Sequence, residues 1–151
     1  MRFNCKVHPV IETHPAFKDE KFHWWPVVPV RLIYKHSPPT RRIEAIVDSG
    51  SPYCLFHASI CNSIGIKRLE DGVEDTLKGI VGGKNVPSVP MYFHKVKIVV
   101  ADGQFETMAG FSWGLAVGGL LGRRGFFENF VVKFDCSLDP PQIDVERLPR
   151  V

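Results

Sequence analysis

The 151-residue sequence predicts a small, closed, mostly β barrel carrying one short helix. Three observations lead there. β-Branched and aromatic residues cluster in short runs, such as 27–34, 92–100 and 131–134. Turn formers break those runs throughout, with 13 Gly and 12 Pro along the chain. A single stretch, 53–64, has helical spacing, with apolar residues at Cys54, Leu55, Ala58, Cys61 and Ile64. The length fits one domain with a real core. Ordinary apolar content argues against disorder. A net charge of +3 with scattered basic pairs argues against a nucleic-acid or membrane-surface partner.

Taken in chain order, residues 1–25 show no clean periodicity, and His8-Pro9 and His14-Pro15 break any helix. They read as an irregular N-terminal arm ahead of a domain at 26–151. A strand is expected at 27–34, with Pro26 and Pro29 putting its start at a sheet edge. Ser37-Pro38-Pro39-Thr40 is a loop, and 41–47 a second strand. The helix at about 56–64 stops at Gly65. A strand at 76–81 precedes the glycine-bearing connection Gly82-Gly83. The strand 92–100 turns at Asp102-Gly103 into 105–111. An apolar run at 117–121 ends at Gly122. A short helix is expected at 125–130, then closing strands at 131–134 and 142–145.

Chemistry concentrates at Ile46-Val47-Asp48-Ser49-Gly50-Ser51. An apolar strand ends abruptly in one carboxylate, and Ser49-Gly50 lets the backbone turn tightly. Asp, Ser and Gly also make ordinary turns, so the tripeptide alone says little. Its company says more. A helix ending in Ile64-Gly65-Ile66 follows, then Gly79-Ile80-Val81-Gly82-Gly83, then Leu120-Leu121-Gly122-Arg123, then Phe126-Phe127 and Val131-Val132-Lys133-Phe134-Asp135.

This order, over about 27–145, resembles the retropepsin-like, single-lobe aspartic proteases. The resemblance implies a homodimeric endopeptidase with a flap. It makes Asp48 the catalytic carboxylate, gives Ser49 the bracing of two active-site loops across the dimer axis, and lets Gly50 bring backbone close to a peptide. Gly79, Ile80, Val81, Gly82 and Gly83 would lie in the flap hairpin. Leu120, Leu121 and Gly122 would pack beneath the active-site loop. Ser51 stands where many viral members have alanine, and its hydroxyl is expected to donate to the carboxylate and favour the ionised form. Pro52 stiffens the turn.

Hydrolysis without metal or covalent intermediate needs both a base and an acid, which two carboxylates sharing one proton supply. The chain has one Asp-Ser-Gly triplet; Asp75-Thr76-Leu77 lacks the glycine. The second carboxylate must then come from a second copy, which makes a C2 homodimer with a peptide or protein substrate and no cofactor. A competing reading keeps the fold as a non-catalytic peptide-binding or assembly module. Another gathers Cys54, His57 and Cys61, at helical offsets of three and seven, around a metal. That reading needs a distant fourth ligand such as Cys5, His8 or Cys136. Trp24-Trp25 is expected to pack the arm against the barrel. The start of the chain lacks the apolar core of a signal peptide, and the four cysteines read as free, so the protein is expected in the cytoplasm.

Overall fold

The computed structural model describes residues 1–77 and 88–149. Among these, the strands are β1 (Arg2–Asn4), β2 (Lys6–Pro9), β3 (Phe22–Trp25), β4 (Val27–Ile33), β5 (Ile43–Val47) and β6 (Leu55–His57). After them come β7 (Val73–Leu77), β8 (Val89–Val100), β9 (Gly103–Ser112), β10 (Gly119–Leu121), β11 (Phe130–Asp135) and β12 (Gln142–Arg147). The one α-helix among the described residues, α1 (Cys61–Ile64), ends at Gly65, which takes φ 85°.

Side-chain alternation builds the barrel wall. Val28, Val30 and Leu32 of β4 point inward, as do Ala45 and Val47 of β5 and Val96, Ile98 and Val100 of β8. β4, β5, β10, β6, β9 and β8 pair in that order, and β8 pairs back onto β4, so six strands close on themselves. β7 adds to the outside of β8. Closure leaves these strands without a free edge. β5–β10 and β6–β9 are parallel pairs. Pro29 fits because β4 is shared in two halves: 27–30 pair with β5, and 30–33 with β8. On the β8 side Pro29 has no ladder bond to lose.

Aromatic packing fills the interior. Phe56 and Phe111 are fully buried with ring centroids 6.0 Å apart. Phe126 stacks on Phe130 at 5.3 Å and Phe105 meets Phe130 at 5.9 Å, which joins the barrel to a second sheet. That sheet runs β1-β12-β11, with the Arg2 guanidinium on Asp144 at 2.7 Å. The hydrogen bond from Arg2 holds the Asp144 carboxyl below the usual carboxylate range.

Five expectations need correction. Leu55–His57 is strand, not helix, because it bonds to β10 and to Gly110, Phe111 and Ser112 of β9. The helical part shrinks to a 3-10 turn at Ala58–Ile60 and α1. The arm is not irregular: β1 joins the terminal sheet, and β2–β3 form a hairpin pairing Val7 with Trp24 and His8 with His23. The helix expected at 125–130 is an interrupted turn at Arg123–Phe127, since Arg124 and Gly125 have non-helical φ/ψ. The turn before β9 falls at 101–102, with Gly103 already in the strand. The strand expected at 76–81 is β7, which occupies Val73–Leu77; its remainder, 78–81, lies outside the described residues.

Phe56→Ala tests the packing. Removing a fully buried ring between β6 and β10 should cost about 3–5 kcal/mol. Urea unfolding should show the midpoint falling with an unchanged slope.

Candidate functional site

β5 carries Asp48 to its place. Ala45 and Val47 face the core, whereas Glu44 and Ile46 face outward, so two residues past Ile46 the Asp48 side chain emerges on the outer face, half-buried. The Asp48 amide donates to the Leu121 carbonyl at 3.0 Å, one rung beyond the parallel pairing of Val47 with Leu121. The turn then closes locally. Ser51 N donates to Asp48 O at 3.1 Å, and Gly50 N donates to Asp48 Oδ1 at 2.9 Å. A Cβ at Gly50 would sit 3.0 Å from that same Oδ1, so glycine lets the amide reach the carboxylate. Among the described residues the other carboxylate oxygen takes no hydrogen bond.

The Leu120-Leu121-Gly122 segment lies against this turn. Leu121 is fully buried, and Leu120 is the register partner of Ile46 on the outer face. Gly122 is pressed so closely that a Cβ would fall 2.1 Å from Tyr53 O and 2.8 Å from Ser51 O. The following residues bond across: Arg123 N to Ser51 O and Arg124 N to Pro52 O, both at 2.9 Å. The Arg123 guanidinium donates to Ser49 O at 2.9 Å and to Gly50 O at 3.3 Å. The sequence alone assigns Arg123 no function; only its adjacency to Gly122 points to it.

Ser51 behaves differently from the expectation. Its hydroxyl is buried and donates to Tyr53 O at 2.7 Å, not to the carboxylate. The turn through Pro52 brings that carbonyl back within reach, and the hydroxyl serves the loop's own backbone. Ser49 is exposed.

Asp48 opens onto a cavity of about 420 Å³. Tyr53, Leu55, Met91, Leu115 and Leu120 give it apolar walls, and Asp75 lines it from β7. Asp75 arrives through the pairing of β7 with β8, opposite Met91, which no local sequence signal announces. The predicted flap residues Gly79, Ile80, Val81, Gly82 and Gly83 lie outside the described residues.

The metal reading loses its geometric basis. With Leu55–His57 in a strand, offsets of three and seven no longer place Cys54, His57 and Cys61 on one helical face. His57 instead accepts from Ser59 N. Burial pushes the thiols of Cys54 and Cys61 up to about 11, and Cys54 Sγ donates to Arg124 O at 3.6 Å. They are inert, neutral packing groups.

No protein-family model matches the chain, and no curated protein sequence matches it either. Solved structures do. A retropepsin-like aspartic protease from Rickettsia conorii is 12% identical, covering 97% of this chain and 98% of that one, with a TM-score of 0.50. The retroviral protease-like domain of Ddi1 from Leishmania major is 16% identical over 83% of this chain and 94% of its own, TM-score 0.49. EIAV protease complexed with the inhibitor HBY-793 is 17% identical over 66% and 82%, TM-score 0.46. The near-complete mutual coverage with the Rickettsia structure, added to the six-stranded closure, shows a retropepsin-like fold.

Two substitutions check the loop. Gly122→Ala forces the β10 end away from the Tyr53 carbonyl and should destabilise by roughly 2–4 kcal/mol, read from thermal unfolding. Ser51→Ala removes one buried hydrogen bond and should cost about 1 kcal/mol in urea unfolding.

Proposed function

We propose that the protein is an aspartic endopeptidase that hydrolyses peptide bonds with water activated between the Asp48 carboxylates of two identical subunits. The observation that carries this reading is the delivery of Asp48 by a pinned strand end to the mouth of an apolar-walled cavity, in a barrel of retropepsin-like fold.

Like charges in contact share one proton, so the pair holds one acid and one base. The ionised carboxylate takes a proton from water as the oxygen attacks the peptide carbonyl carbon. The protonated carboxyl gives its proton to the carbonyl oxygen. The tetrahedral diol then collapses, and a proton passes to the departing amine as the C–N bond breaks. Arg123 supports this chemistry indirectly, because holding the Ser49 and Gly50 carbonyls fixes the turn that aims Asp48. Ser49, exposed beside Asp48, is the residue that meets the partner's loop in this reading. The location that goes with the reading is the cytoplasm.

With one carboxyl protonated and one ionised, activity should follow a bell with its optimum on the acidic side of neutral. Asp48→Asn keeps the shape and the Gly50 contact but removes the base, so cleavage of a denatured protein should fall to background while the fold persists. Sedimentation at micromolar concentration should show about twice the chain mass. Cleavage that survives Asp48→Asn would overturn the mechanism. Peptide binding with no turnover at any pH would leave the barrel as a non-catalytic peptide-binding or assembly module.

A further inference from the structure

A second groove, about 750 Å³, lies beside the Asp48 cavity. The β2–β3 hairpin forms one wall, through His8, His23 and Trp25. The barrel's outer face forms the other, through Ile46, Val117 and Gly118. The two hollows adjoin. Leu115 and Ala116 line the Asp48 cavity, and the next two residues along the chain line the groove. Ile46 lines the groove and its register partner Leu120 lines the cavity. Glu44, Ile46 and Asp48 follow one another on the same outward stripe of β5.

We propose that this groove is an extended subsite that takes a large apolar side chain of the peptide, away from the bond being cut. The inference rests on the endopeptidase reading. Distance sets the position. Ile46 is two residues from Asp48 and Glu44 four, which is roughly 7 and 13 Å along a strand. An extended peptide rises at about the same rate, so the groove meets a residue about two to four positions from the scissile bond. Chemistry sets the class. The floor of Val27, Ile46 and Val117 is apolar, and Trp25 offers a ring that is 42% exposed. His8 stands edge-on to that ring, 6.3 Å between centroids, and leaves its remaining surface open. Lys6 pairs with Glu44 across the base and His23 Nδ1 lies 3.3 Å from Glu20, while Glu12 lines the groove as a further carboxylate. An acidic side chain would meet Glu12 and Glu44, whereas an aromatic or branched aliphatic one buries area against Trp25 and Ile46 over the apolar floor. Two-fold symmetry would place one such groove on each side of the cut.

The test is a positional cleavage profile. The full chain digests a denatured proteome at its optimum pH, and mass spectrometry reads the sequences around each cut. Wild type should enrich large apolar residues two to four positions from the cut, on both sides. Trp25→Ala should lose that enrichment while keeping the preferences next to the cut, and Trp25→Phe should restore it. On a synthetic ten-residue peptide carrying the preferred residue, kcat/KM for Trp25→Ala should drop roughly ten-fold. On the same peptide with glycine there, wild type and variant should agree within about two-fold. Identical profiles for wild type and Trp25→Ala would overturn the subsite and leave the endopeptidase standing. No cleavage by wild type would overturn both.

Discussion

The close crossing of two chain segments governs this molecule. Residues 119–124 run beneath residues 47–53 so tightly that position 122 has no room for a side chain. Backbone bonds stitch the crossing at Asp48–Leu121, Ser51–Arg123 and Pro52–Arg124. Neither segment could hold its shape alone. The Asp-Ser-Gly turn has few local bonds, and β10 is three residues long. Together they form a rigid seat, because the carbonyls of Leu121, Ser51 and Pro52 find donors on the opposing segment. The outward aim of Asp48 follows from that seat and from the strict alternation along β5.

Around the seat, packing and polarity are divided cleanly. Inward residues of the wall are aliphatic or aromatic, and the fully buried Phe56, Phe111 and Phe126 span the space between strands. The outward stripe from Glu44 to Asp48 keeps one carboxylate at each end with Ile46 between. Arg123 adds a cation whose donors go to neutral carbonyls. The guanidinium therefore fixes the loop without being tied up by the Asp48 carboxylate. Such second-tier support is what gives a reactive side chain its precision.

Legibility in the sequence followed the range of the forces involved. The Asp48 turn could be read because its signal is local: an apolar run, one acid, then Ser and Gly. Most barrel strands could be read for the same reason. Leu55–His57 could not, because the spacing of Leu55, Ala58 and Cys61 suits a helix and only the pairing with Gly110–Ser112 overrides it. The β2–β3 hairpin left no period-two trace, since its residues are exposed on both faces. Ser51 was placed in the right loop and given the wrong acceptor, because the competing carbonyl of Tyr53 comes near only once the turn is folded. Trp25 was expected against the barrel. It does face the barrel's outer wall, but across a groove rather than in contact with a filled core.

The short strand β10 also has a kinetic consequence. It slots between β5 and β6, and Arg123 reaches back 74 positions to the Ser49 carbonyl. Closing a chain loop of that size is entropically slow, and parallel pairing gives no hairpin shortcut. On a ribosome, Asp48 would leave the exit tunnel long before its seat exists. The Asp48 carboxylate is thus set in its folded geometry late, when residues 119–124 dock and the ring shuts. A nascent or partly folded chain has the acid but not the aim, so the activity proposed for Asp48 is tied to completion of the barrel.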